Sequence, residues 1–228
     1  MRFSSMIVFV LAVLGSMALA VQVPNESLAN AIVAARQRNT AMLQQYNWNQ
    51  RIEILRNNTM EDLRIDLVSA NAAGQLTRTV LNDQPGQLPG LFLRRAIEHG
   101  QQQQVEKTVQ GMSGMVDQYT IAGAGKVGAF IVSGALKPIT TPTGQSLLQI
   151  SGNNVVMPGD TVVMTFNGTT LQPVSASITT TYEGDAVTIS ASFSPMGPGV
   201  TALQYATAQI PSKQITVMIH NYDFVKAF

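Results

Sequence analysis

Catalysis by side chains needs a nucleophile or a base held beside a group that tunes it, and this chain offers few such residues. Its only imidazoles are His99 and His220, and it contains no cysteine. A histidine-assisted serine hydrolase would have to bring one of those histidines to an acid and a serine in space. Ser113, in QGMSGM, has the most suggestive neighbours, yet Gly111 and Gly114 miss the Gly-x-Ser-x-Gly spacing of a nucleophile elbow by one position. Neither histidine is accompanied by partners at metal-ligand spacing, so no metal site is expected. The run Gly123-Ala124-Gly125-Lys126-Val127-Gly128 has the glycines and lysine of a phosphate loop. It lacks the Gly-Lys-Ser/Thr ending and follows a helical rather than a strand pattern. Asp160, in PGD, reads as a turn residue whose carboxylate serves nearby backbone amides. The expectation is a non-enzymatic protein without a cofactor, and serine-dependent hydrolysis ranks last among the alternatives.

The elements that would position any site follow from periodicity. From Gly159 to Phe193, apolar residues recur at every second position through Val162, Met164 and Phe166, then Val174, Ala176 and Ile178, then Val187, Ile189, Ala191 and Phe193. Asn167-Gly168 and Glu183-Gly184-Asp185 separate these runs, which predicts a three-stranded antiparallel meander. Tyr46 to Leu55 alternates too, with Tyr46, Trp48, Gln50, Ile52 and Ile54 on one face. Asn57-Asn58 makes a turn, and the next run is read with Leu63, Ile65 and Leu67 inward and Arg64 and Asp66 outward. Arg51, Glu53, Arg64, Asp66 and Arg78 then form solvated charge ladders able to pair across strands. Gln75 to Leu81, Gln145 to Ile150, Leu203 to Gln209 and Gln214 to His220 supply further strands.

Helical spacing predicts an amphipathic helix from Asn25 to about Gln45, a second over 91–120 carrying Met112 and Met115, and a short apolar one through Val127 to Val132 ended by Pro138 and Pro142. The glycines within 121–135 suit either a movable lid or close packing of a docked helix.

The first twenty residues have the form of an export leader: Arg2, an apolar run from Met6 to Leu14, and Ala18-Leu19-Ala20 as the cleavage site. Residues 1–20 are therefore read as a cleaved signal peptide, and 21–228 as one helix-covered antiparallel sheet domain. Lys and Arg number 14 and Asp and Glu 13, so loss of Arg2 makes them equal. Such neutrality argues against nucleic acid as a partner. Without a cysteine there is neither a disulfide nor a lipidated anchor, and a soluble periplasmic or secreted protein without a permanent membrane anchor is expected.

Export leader, helix, aromatic-led strand, further strands, intervening helices and a closing meander follow one another in an order with a parallel elsewhere. With YNWNQRIEI at 46–54, GQLTRTVL at 74–81, PGDTVVMTFNG at 158–168 and KQITVMIHNYDF at 213–224, the chain resembles a family of uncharacterised exported bacterial proteins. Their architecture is similar to that of the LolA- and LolB-like periplasmic lipoprotein carriers. The resemblance implies an α+β fold in which a strongly curved antiparallel sheet or incomplete β-barrel is covered by helices. It also implies an exported protein that binds an acyl chain, lipid or other apolar ligand in the bacterial envelope, with a lipid, a lipidated protein or an envelope protein as partner. Trp48, Ile52, Leu63, Met112, Met115, Phe130, Met164 and Phe166 are the residues expected to line its cavity. An envelope scaffold or protein-interaction module with a dry packed interior is the alternative.

Overall fold

The computed structural model describes residues 25–71, 74–85 and 124–227. The leader, the 91–120 helix, Met112, Met115, His99 and Ser113 lie outside the described residues. Helix α1 (Asn25–Leu43) is followed by strands β1 (Tyr46–Arg56), β2 (Thr59–Ala70) and β3 (Leu76–Pro85). After helix α2 (Ala124–Ser133) come β4 (Ala135–Thr140), β5 (Ser146–Asn153), β6 (Thr161–Asn167), β7 (Pro173–Tyr182), β8 (Asp185–Gly197), β9 (Val200–Ile210) and β10 (Ile215–Lys226). A 3-10 turn, Pro211–Lys213, joins the last two strands.

All neighbouring strands are antiparallel, in the order β3-β2-β1-β10-β9-β8-β7-β6-β5-β4. The expected meander is β6-β7-β8. Two-residue reversals stand where the sequence placed them: Asn57 and Asn58 have φ of 52° and 61°, and Glu183 and Gly184 have 51° and 87°. Both pairs occupy the left-handed region that matches the twist of a hairpin. The β6–β7 reversal differs from the tight turn expected at Asn167-Gly168. It is a longer loop in which the Asn167 Oδ1 accepts the amides of Thr169 and Thr170, at 2.9 Å each.

The expected curvature is corrected. The sheet is open, neither closed into a barrel nor strongly curled, with β3 and β4 at opposite ends of the strand order. Closure would require those edges to exchange backbone hydrogen bonds. Edge strand β4 is only six residues long, carries exposed Lys137, and contains Pro138, which has no N–H to donate. Pro138 thus serves the sheet edge and does not end the preceding helix, which stops at Ser133.

Helices α1 and α2 cover one part of one sheet face. Ala29 and Ile32 of α1, with Phe130 and Ile131 of α2, pack on Ile150, Val162, Phe166, Ile178, Val187, Ile189, Ala208, Ile210 and Ile215. Burial of each isoleucine in such a cluster contributes about 1.5–3 kcal/mol. Two polar contacts fix the helices over it. The Asn25 side chain donates to the Val132 carbonyl at 3.1 Å, tying the start of α1 to the end of α2. Farther along α1, Asn39 donates to the Thr201 carbonyl at 2.8 Å and accepts from the Thr201 amide at 2.7 Å. Helix α2 is docked, with Ile131 fully buried. A Cβ on Gly134 would come within 2.7 Å of both Ile150 Cγ2 and the Phe130 carbonyl, so glycine here permits the abrupt passage from helix to strand.

Candidate functional site

Beyond that apolar cluster the helix-facing side of the sheet changes character. Register decides which residues appear there. Ile52 pairs with Arg64 and Ile219, Gln50 with Asp66 and Asn221, and Trp48 with Val68. Directly opposed residues of an antiparallel pair share a face, and alternate residues along a strand share it too. Trp48, Gln50, Ile52, Arg64, Asp66, Val68, Ile219 and Asn221 therefore stand together. Leu63 pairs with Glu53 and Ile65 with Arg51, which puts the leucine side of β2 on the opposite face.

This register overturns the expectation that Asp66 is a solvated outward charge: it is fully buried. The ladders expected across strands are instead pairs along one strand, Arg64 Nε to Asp66 Oδ1 at 2.7 Å and Arg51 to Glu53 at 2.6 Å. The two pairs lie on opposite faces, because alternation puts Arg64 and Asp66 with Ile52, and Arg51 and Glu53 with Leu63.

The row Asp66–Gln50–Asn221 crosses three strands. Gln50 Nε2 donates to Asn221 Oδ1 at 3.0 Å, and Asn221 Nδ2 donates to the Leu203 carbonyl at 3.0 Å. Next to this row Trp48 stacks on Phe224, with ring centroids 5.5 Å apart and planes at 23°. That stack depends on an irregularity. Asn47 pairs with Val225 but Asn49 with Tyr222, so an extra residue is accommodated opposite Trp48, and Asp223 takes φ of 53°. Such a bulge reverses the alternation of its strand and turns Phe224 towards Trp48.

Three polar atoms at this place make no hydrogen bond among the described residues: Trp48 Nε1, Gln50 Oε1 and Asp66 Oδ2. Their residues are 8%, 6% and 0% exposed. A buried polar group without a partner costs about 1–3 kcal/mol, and native proteins leave few of them. The arrangement therefore offers one donor and two acceptors beside a pair of stacked rings.

The residues expected to line a cavity are partly brought together. Trp48 and Ile52 share this face, and Met164 lies on it as well through the chain of pairs Ile52–Ile219–Ala206–Ala191–Ala176–Met164. Phe130 and Phe166 are buried in the cluster beneath the helices, and Leu63 is on the opposite face. Gln50, Asp66, Asn221 and Phe224 were not among the expected residues. The available signal was that Gln50 alternates with Trp48 and Ile52, and a polar side chain on an apolar face has to be satisfied by something.

The remaining chemistry-bearing residues are placed apart. His220 lies on the opposite face, stacked on Tyr205 at 4.3 Å and tilted against Tyr222 at 5.2 Å. Gly125 to Gly128 form part of α2. Asp160 accepts the amides of Val155, Val156 and Met157 at 2.6, 2.9 and 2.9 Å, which is the turn role expected of it. Among the described residues no three His, Asp or Glu side chains gather as a metal site, and no helix is long and apolar enough to cross a membrane.

No family model matches the chain, and no curated protein matches it. Among solved structures it is similar to a LolA superfamily protein from Nitrosomonas europaea, with a TM-score of 0.40 and 11% identity over 88% of this chain and 93% of that one. It is similar also to a DUF1329 family protein from Desulfovibrio piger, with a TM-score of 0.39 and 10% identity over 89% of this chain and 93% of the other.

Proposed function

We propose that this protein is a non-enzymatic exported binding protein that holds an acyl chain or similar apolar ligand in the bacterial envelope. The observation that carries the reading is the division of the helix-facing sheet side. One part is packed beneath α1 and α2, whereas the part formed by β1, β2 and β10 holds a stacked aromatic pair and three buried polar atoms that make no hydrogen bond among the described residues. Native proteins leave few buried polar groups without a partner, and three of them gather beside these rings. An alkyl chain lying along Trp48, Ile52 and Val68 would gain about 0.8 kcal/mol per buried CH₂ before ordering costs. No covalent step is required. Entry and release need no displacement of α1 or α2, which are packed on the neighbouring apolar cluster.

Native mass spectrometry of the protein purified gently from an exporting host tests the reading. A bound lipid-sized mass is expected, together with uptake of an environment-sensitive fatty-acid probe. A clean apo mass without probe uptake would overturn it. That outcome would favour an envelope scaffold, for which edge strand β3 offers exposed Leu76, Val80 and Leu81.

A further inference from the structure

We infer that the site selects its ligand by a neutral, hydrogen-bond-donating head group, and that a vicinal diol such as that of a monoacylglycerol fits it where a fatty-acid carboxylate does not. This inference rests on the binding function proposed above and adds the ligand class. Its warrant is the inventory of partnerless buried atoms. Gln50 Oε1 and Asp66 Oδ2 only accept hydrogen bonds, and Trp48 Nε1 only donates one. Gln50 and Asp66 are directly opposed on β1 and β2, which puts their Cβ atoms about 4.5–5.5 Å apart. Trp48 is two residues from Gln50 along the same strand, about 6.6–6.8 Å away. One polar head group can therefore reach all three.

The complementary group must bring two donors and one acceptor. Two hydroxyls do so: each O–H donates to one of the acceptors, and one hydroxyl oxygen accepts from the indole N–H. A carboxylate has four lone-pair positions and no donor, so it would satisfy Trp48 alone while pressing its charge against two acceptor oxygens. The nearby cation does not reverse this, because the Arg64 charge is already matched by the Asp66 carboxylate, to which its Nε donates at 2.7 Å. A methyl ester has no donor either and would leave both acceptors as they are. An alkylammonium head supplies donors but no acceptor for the indole. The Gln50 amide is prevented from turning over, since its Nε2 is used by Asn221, which is itself held by the Leu203 carbonyl. The acceptor atom of Gln50 is thus fixed in identity as well as in place.

The test uses the full mature chain and displacement of an environment-sensitive fatty-acid probe by three ligands of one chain length: 1-monooleoylglycerol, oleate and methyl oleate. The monoacylglycerol is expected to bind at least about tenfold more tightly than either of the others, the discrimination that one satisfied buried hydrogen bond confers. Gln50→Leu removes one acceptor, and Asp66→Asn puts an amide N–H where the other stood. Each is expected to lower that preference at least threefold, whereas Trp48→Phe removes a donor that all three head groups can use and is expected to weaken the three ligands together. Circular dichroism establishes that the variants are folded, and either acceptor variant serves alone where the other is not. Equal affinity for the three ligands, or a preference that survives both acceptor substitutions, would overturn the inference and assign the three atoms to ordered water, with the binding function intact. Failure of the probe and all three ligands to bind would overturn the binding function and the inference together.

Discussion

Replacing Asn39 by alanine tests whether α1 is held over the sheet by one side chain. Asn39 lies on the buried stripe of α1 with Ala29, Ile32 and Ala35, and its amide bonds to both backbone groups of Thr201, at 2.8 and 2.7 Å. Both residues are buried, at 8% and 7% exposure. Truncation would strand the Thr201 N–H and C=O away from water, at about 1–3 kcal/mol each, offset by roughly 0.6 kcal/mol from the better helix propensity of alanine. The expected net loss is about 1.5–5.5 kcal/mol, a large share of the roughly 5–15 kcal/mol typical of a domain. Urea unfolding followed by the fluorescence of the single tryptophan measures it, with an unchanged denaturant slope showing that the unfolded state is the same. Asn39→Asp gives a second reading. It keeps the acceptor for the Thr201 amide but sets an oxygen against the Thr201 carbonyl, so at neutral pH it is expected to destabilise at least as much as alanine. Part of the loss should return as the pH falls and the introduced carboxyl gains a proton that it can donate. A loss below about 1 kcal/mol for Asn39→Ala would show that the two Thr201 groups are hydrated without Asn39, and the argument for the clamp would fail.

Gly134→Ala places a methyl 2.7 Å from Ile150 Cγ2 and from the Phe130 carbonyl, and is expected to cost about 1–3 kcal/mol in the urea midpoint. Asp160→Ala removes the acceptor of three amides and should destabilise by about 2–4 kcal/mol, with hydrogen exchange at residues 155–157 accelerated well before the rest of the sheet. The Ser212 hydroxyl and then Lys213 hold the Asp185 carboxyl below the usual aspartate value, while Asp185 raises the Lys213 ammonium above its ordinary value. The contribution of Asp185 is therefore complete above its unfolded value and lost as the pH falls through the lower folded one. That of Lys213 is complete below its unfolded value and lost as the pH rises through the raised folded one. Carboxyl titration by NMR should show the Asp185 midpoint moving up towards the ordinary value in Ser212→Ala, and an unmoved midpoint would remove the hydroxyl as the main cause. In hydrogen exchange, the buried residues Phe130 and Ile131 of α2 are expected to be protected in the empty protein and unresponsive to a long-chain lipid; rapid exchange that slows on adding lipid would show that α2 is a movable cover and not a docked helix.

Features of this fold that depend on neighbours in sequence are legible in the amino acids. Asn57-Asn58 and Glu183-Gly184 reverse the chain because residues tolerant of positive φ stand between alternating runs. Asp160 reaches amides three to five residues away, so its role needs no tertiary information. The β6-β7-β8 meander follows from three alternating runs joined by short connections. Asn39 could have been found as well, as a polar residue at helical spacing from Ile32 and Ala35.

Which face of β2 meets the helical side could not be read in this way. A period of two assigns residues to two faces but does not say which face is covered, and β2 carries apolar residues on both, Leu63, Ile65 and Leu67 against Val68. Pairing with β1 made the choice, burying Asp66 beside Gln50 and leaving the leucine side with Arg51 and Glu53. Phe224 shows the same dependence: strict alternation puts it with Tyr222, and only the extra residue at Asp223, opposite Trp48, turns it onto the indole. The open form of the sheet was likewise decided by long-range pairing, since nothing local to β3 or β4 states whether two strands at the ends of a ten-strand order will meet. Local sequence sets where strands begin, turn and alternate, whereas register, a sum over hydrogen bonds between distant segments, decides which of those side chains are buried together.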